Sequence, residues 1–321
     1  RAPRASGWCW SSERRIDLDP ESGGAPLAAR PVTARPWPTL KGLCSVKDGC
    51  VPIYDRILVP LDGSRFSEEM IPHAAGLAAR GTPLVLLRVV DKGADEAEAR
   101  AYVEQLAARH GAQGICVVAR GDVAATVLDE AAGVPRTLVA MTSRGRSGVL
   151  EAVLGSVAQR VARGTDGPVL VYRPTGGSAS DGGAAQVRRI VLPLDGSALS
   201  EAMAGQAAEF ARWAGAELEV VRVVDTEGAA GLPPGGELAA LESGYVRAKA
   251  TELGSSHGVP INWDVLHGEP AKAIASYVAG RGDTILAMVT RRQSAMETAF
   301  LGSVTAGCLR QAGVPVLMRA P

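Results

Sequence analysis

Residues 143–163 read SRGRSGVLEAVLGSVAQRVAR and hold glycines at 145, 148 and 155, an arginine at 146 and a serine at 156. Glycine permits positive φ and lets a ligand approach the bare backbone. Arg146 adds charge beside Gly145 and Gly148, and the Gly155–Ser156 pair opens a helix whose free N–H groups and positive dipole end suit a phosphate. The chemistry is anion binding, and the same residues would also serve as a glycine turn followed by a capped helix. PLDGS occurs twice, at 60–64 and 193–197, and sets Asp62 and Asp195 between a strand and a helix. A carboxylate there accepts hydrogen bonds from sugar hydroxyls or a base amine, or caps the following helix. Both readings stay open on spacing alone.

Other chemistries lack their parts. There is no G-x-x-x-x-G-K-[ST], and no G-x-G-x-x-G opens the first helix. SGG at 22–24 resembles the SGGxDS of ATP pyrophosphatases, but no strand precedes it and no HIGH-type motif accompanies it. His73, His110, His257 and His267 read as surface or turn residues, and no Ser/His/Asp or Cys/His set stands out. The five cysteines form no CxxC pair or metal spacing; Cys116 and Cys308 read as small core residues. We therefore expect no catalytic residues, no protein-held metal and no enzyme.

Lys plus Arg equals Asp plus Glu at 34 each, so no global basic excess points to nucleic acid and any partner must be recognised locally. The longest apolar runs, such as LVLLRVV, fall far below the roughly 20 residues of a membrane span. The N-terminus shows no signal-peptide core, so the expectation is a cytoplasmic protein without nucleic-acid or membrane partners.

The elements that must position these residues come as a repeat. ILVPLDGS at 57–64 returns as IVLPLDGS at 190–197, and LLRVVD at 86–91 returns as VVRVVD at 220–225. LGSV at 154–157 returns at 301–304, a larger offset, so the second copy carries 13 extra residues between Asp225 and Gly268. We place them in TEGAAGLPPGGE, 226–237, as a mobile loop. In the first copy, strands are expected at Arg56–Leu61, Leu84–Val90, Ile115–Ala119, Thr137–Thr142 and Val169–Tyr172. Helices are expected at Ser67–Arg80, Ala94–His110, Val123–Ala132 and Val157–Arg163. Strands apolar on both faces mark a parallel sheet covered by helices on both sides. The fold class is α/β: two tandem five-stranded doubly wound parallel-sheet domains, with the ligand crevice beyond the carboxyl ends of the strands.

The boundaries follow as 52–174 and 188–321, joined by a Gly/Ser-rich linker at 175–187. Residues 1–51 hold three of the five Trp and three of the five Cys without any apolar period, and read as a disordered tail. No Met precedes Met70, and the folded pattern begins after Val51, so translation is expected to start there on a valine codon; an interaction tail built on Trp8, Trp10 and Trp37 is the rival reading.

With ILVPLDGS, LLRVVD, GRSG…LGSVA and PVLVYR in place, each half resembles a universal stress protein domain and the chain a tandem universal stress protein. Members with the signature G-2X-G-9X-G-(S/T) bind ATP. Gly145, Gly155 and Ser156 match its later positions, while Thr142 stands where the first glycine belongs. The resemblance implies Asp62, with Pro60 and Leu61, at the adenine and ribose end, Val89 lending backbone contacts to the base, and Thr142 close to the ribose. It implies Gly145, Arg146, Gly148, Gly155, Ser156 and Val157 around the phosphates, with Mg²⁺ carried by the phosphates and water.

The second copy keeps Asp195, Val223, Gly302 and Ser303 but has Val289, Arg292 and Ala295 at the loop positions. Arginine in a left-handed conformation costs roughly 1–2 kcal/mol, so that loop is expected to take another shape, with Arg291 and Arg292 available as side-chain phosphate ligands. The resemblance also implies pairing of the fifth strands, PVLVY and PVLMR, into an intramolecular pseudodimer, and leaves room for a homodimer. The function implied is an ATP-binding stress-response or signalling module with one competent site in the first half. The alternatives are a nucleotide-free interaction and dimerisation protein or, last, a slow ATPase.

Overall fold

The computed structural model describes residues 53–143, 153–174, 183–224, 236–290 and 301–319. The expectations for 1–52, most of the linker, the greater part of the 226–237 segment, Gly145, Arg146, Gly148, Arg291, Arg292 and Ala295 lie outside the described residues.

The first half runs β1 (Arg56–Leu61), α1 (Arg65–Glu68), α2 (Ile71–Ala78), β2 (Leu84–Val90), α3 (Glu96–Arg109), β3 (Gln113–Val118), α4 (Val123–Ala132), β4 (Thr137–Thr142), α5 (Ser156–Gly164) and β5 (Val169–Tyr172). The second half repeats it with β6 (Arg189–Pro193), α6 (Ala198–Glu201), α7 (Ala204–Ala214), β7 (Glu217–Val224), α8 (Gly236–His257), β8 (Ile261–His267), α9 (Pro270–Val278), β9 (Thr284–Val289), α10 (Ser303–Gln311) and β10 (Val316–Arg319). Four of the five strands read from the first copy fall where expected, and β3 starts two residues earlier.

The helix expected over 67–80 is instead two. Pro72 has no N–H to continue α1 and sits in the first turn of α2, where none is needed. The same break recurs before Gly205, so proline is not its only cause. In both halves a methionine occupies the break, Met70 and Met203, and both are buried. The interruption drops a long apolar side chain into the core. Gly236 and Glu237, read as loop, open α8, which at 22 residues outruns the 14-residue α3.

The ten strands among the described residues join one sheet, in the order β3-β2-β1-β4-β5-β10-β9-β6-β7-β8. Pairing is parallel within each half, and β5 meets β10 antiparallel, with Val169, Leu170 and Val171 opposite Met318, Leu317 and Val316. An antiparallel junction relates the halves by a two-fold axis through the sheet, so equivalent helices share a face. One core accordingly gathers Ile57, Leu86 and Leu170 with Ile190, Leu218 and Leu317. The opposite face gathers Leu58, Val127 and Val161 with Val191, Ile274 and Leu309. Neither half has a core of its own on either face. On the first face Tyr54 packs edge-on against Phe210 and Trp213 of α7, with centroids at 6.2 and 5.0 Å.

The linker is tied down at its end: the Ala185 N–H donates to the Pro72 carbonyl at 2.9 Å. It passes so close to α2 that a Cβ on Gly76 would stand 1.7 Å from the Ala185 oxygen. His73, read as a surface or turn residue, is instead half-buried, its ring 4.7 Å from that of Tyr172. Cys116 and Cys308 are buried, as their apolar settings imply. Among the described residues, no helix is long and apolar enough to cross a membrane.

Candidate functional site

In each half the strand order reverses direction of travel between the first and fourth strands, and the crevice that this leaves opens at their carboxyl ends. A cavity of about 420 Å³ occupies it in the first half, and one of about 400 Å³ in the second. Both have the size of small-molecule sites. The first is lined by Pro60, Leu61, Asp62, Val89, Thr142, Gly155, Ser156 and Val157, so every expected residue that the structure describes in this half converges on one space. Asp195, Val223, Gly302 and Ser303 likewise all line the second.

The Asp62 carboxylate is held by its own turn. Oδ1 accepts from the Ser64 N–H at 2.9 Å and the Ser64 hydroxyl at 2.6 Å. Gly63, with φ of 81°, makes the left-handed step that brings Ser64 back over Asp62. The cap of α1 is Ser64, which accepts from the Ser67 N–H, so of the two readings the capping role falls to serine and the aspartate orients it. Asp195, Gly196 and Ser197 repeat the arrangement. Burial raises the Asp195 pKa, but hydrogen bonds from Ser197 and Ser200 and the charge of Arg222 outweigh it, and the net direction is down. The carboxylate stays ionised.

At the other wall, α5 begins at Ser156 with Gly155 as its cap residue and no side chain capping its first turn. Its leading N–H groups and dipole face the cavity without an internal acceptor. The Gly155 N–H donates to the Ser143 carbonyl at 2.7 Å, which fixes the helix start against the end of β4. In α10, Gly302 takes the same place, again with no side-chain cap. The glycine loop between β4 and α5 is outside the described residues, but its two anchors, Thr142 and Gly155, are both buried in or set on the cavity wall.

Among the cavity residues that escaped the sequence reading, Arg88 and Ser143 bear on the chemistry. Arg88 lines the first cavity, and its Nη1 donates to the carbonyls of Leu61 at 3.3 Å and Val89 at 2.9 Å. Its only signal was a charge inside the apolar run LVLLRVV. Arg222 is its equivalent, donating to the Leu194 carbonyl at 3.4 Å. There the resemblance ends, because Glu242 on α8 grips Arg222 through Nε at 2.7 Å and Nη2 at 3.2 Å. Tyr102 and Tyr245 register the two helices, donating to Glu68 at 2.7 Å and Glu201 at 2.8 Å. Three residues before Tyr245 stands Glu242; three before Tyr102 stands Ala99. The first half therefore offers its arginine no such carboxylate, and no ion pair involves Arg88 among the described residues.

The second missed residue is Ser143, fully buried at the end of β4 and on the cavity wall. Among the described residues there is no cluster of three or more His, Cys, Asp or Glu able to hold a metal.

A duplicated doubly wound α/β protein with a cavity at the switch point of each half is the class that this geometry defines. More narrowly, the chain belongs to the universal stress protein family, whose model matches residues 53–173 and 186–319. Universal stress protein MJ0531 of Methanocaldococcus jannaschii is 31% identical over 137 residues, 41% of this chain and 81% of that protein. Among solved structures, a universal stress protein of Archaeoglobus fulgidus DSM 4304 superposes with a TM-score of 0.57 at 20% identity, over 83% of this chain and 98% of that one. The functionally unknown protein PA1789 of Pseudomonas aeruginosa PAO1 follows with a TM-score of 0.55 at 16% identity, over 84% and 93%. At these identities the likeness is one of fold.

Proposed function

We propose that this chain is an ATP-binding module of stress response or signalling, acting in the cytoplasm, with its competent nucleotide site in the first half. The observation that carries the reading is the convergence of Asp62, Val89, Thr142, Gly155, Ser156 and Val157 on one 420 Å³ cavity, with the uncapped start of α5 at one wall. A carboxylate at one side and bare helical N–H groups at the other match a ligand that is a hydrogen-bond donor at one end and an anion at the other. Adenosine phosphates have that polarity.

In this reading Asp62 accepts from the ribose, and the edge of β2 at Val89 lies against the base. Gly155, Ser156 and Val157 hold phosphate through backbone N–H groups, and Gly145, Arg146 and Gly148 complete the cradle. Mg²⁺ travels with the phosphates, whose charge it offsets. The chain itself binds and orients; no proton transfer is assigned to it, and the module is proposed as a non-enzyme. The second half acts as the structural and regulatory partner.

The test is to denature the purified chain and identify the released nucleotide by chromatography, with calorimetry of added Mg-ATP. Gly145→Arg, which writes Arg292 into the first half, is expected to remove most of the bound ATP. Wild-type occupancy in that variant would overturn the loop assignment. No released nucleotide and no heat with Mg-ATP would leave the nucleotide-free interaction protein as the better reading.

A further inference from the structure

The two halves treat equivalent hydroxyls differently at the floor of the cavity. Ser143 and Thr290 each follow the fourth strand of their half, and each donates its backbone N–H to the neighbouring fifth strand, to Tyr172 at 2.7 Å and to Arg319 at 2.9 Å. The Thr290 hydroxyl is spent internally, donating to the Arg319 carbonyl at 3.2 Å, and Thr290 is not part of the cavity lining. Ser143 is one of the residues that line the cavity, and its hydroxyl is wholly buried with no hydrogen-bond partner among the described residues. A buried hydroxyl without a partner is a standing cost in the folded protein, and such groups in native structures call for an explanation.

Its surroundings supply one. The Ser143 carbonyl receives the Gly155 N–H at 2.7 Å, so the serine sits directly beneath the start of α5. That helix, nine residues long, presents an uncapped first turn to the same cavity. Ser156, Val157 and Ala158 line the cavity from this turn, and Ala158 keeps the space open. In the second half the residue equivalent to Ala158 is Thr305, whose hydroxyl turns away to the Val289 carbonyl at 3.2 Å. A donor hydroxyl and a row of helical N–H groups thus converge in the first half only, and the group that answers both is a phosphoryl oxygen.

We propose that Ser143 is a specificity-determining residue of the first site, its Oγ–H donating to a phosphoryl oxygen of the ligand held at the α5 start. This rests on the nucleotide reading above and adds to it a side-chain donor outside the glycine loop. It also supplies a second reason for the inequality of the halves, independent of the loop substitutions: the donor that serves the ligand in one half serves the backbone in the other.

The experiment uses the full chain with Ser143→Ala and, as control, Thr290→Ala. Ser143→Ala is expected to weaken Mg-ATP binding by calorimetry about tenfold, the size of one lost hydrogen bond to a charged acceptor. Because the hydroxyl has no protein partner, the unfolding temperature of the ligand-free variant should be unchanged or higher. Thr290→Ala should bind Mg-ATP as the wild type does. Wild-type affinity in Ser143→Ala, an equal loss in Thr290→Ala, or an affinity loss accompanied by a lowered ligand-free unfolding temperature would each overturn the role of Ser143. No Mg-ATP binding by the wild-type chain would instead overturn the nucleotide reading on which it rests.

Discussion

His73 shows how far a residue's setting can depart from its type. Burial pushes its pKa down from the ordinary imidazole value to about 4, so the folded chain favours the neutral ring beside Tyr172. Unfolding releases a ring that takes up its proton near pH 6.5, so stability is full above that pH and is lost as pH falls toward 4. A single group limits the slope to about 1.4 kcal/mol per pH unit. His73→Gln, which installs the residue found at Gln206, should flatten the fall in melting temperature between pH 7 and 5; an unchanged fall would assign it to other groups. The residues proposed to bind directly were legible because their types announce them: a carboxylate in PLDGS, a Gly-Ser helix start. Ser143 was not, because an unpartnered hydroxyl is a property of everything around it. Arg88 escaped for the same reason, since the difference between Arg88 and Arg222 lies in Ala99 and Glu242, distant in sequence.

At the scale of elements, strand positions followed directly from short β-branched apolar runs, because a strand buried on both faces tolerates little else. The helices were less legible. The break between α1 and α2 depends on where Met70 can be buried, and α8 opens on Gly236, a residue whose type reads as loop. Helix α8 has its own load: Glu242 and Arg222 are each about one-fifth exposed, with side chains 20% and 19% accessible. Glu242→Ala should destabilise the protein by about 1–3 kcal/mol in thermal or urea unfolding, the range for a lost hydrogen bond to a charged group. The matching change Ala99→Ser in α3 should have little effect. The contact between α2 and the linker is similarly specific. Gly76→Ala forces a methyl group into the Ala185 carbonyl, and is expected to cost about 1–3 kcal/mol and to speed proteolysis within 175–187. Wild-type resistance would mean that the linker end can shift aside without loss.

For the molecule as a whole, duplication was evident from ILVPLDGS and LGSV, but the sharing of both cores was not. Pattern within one copy says which face of a strand is buried, not whether the neighbouring copy continues the same layer. Leu170 and Leu317, opposite each other in the central ladder, belong to the common core of one face. Unfolding should therefore appear in scanning calorimetry as a single transition rather than two, and Leu317→Ala should lower it by about 2–5 kcal/mol while keeping it single. Two resolved transitions would show that the halves melt independently. The ladder between β5 and β10 also has a bearing on concentration. Two separate chains joined along such an edge would part on dilution, whereas here both strands belong to one molecule, and the linker keeps each at a high effective concentration for the other. The central seam is thus expected to remain closed at any dilution, and a substitution on one side of it is met by an unaltered partner on the other.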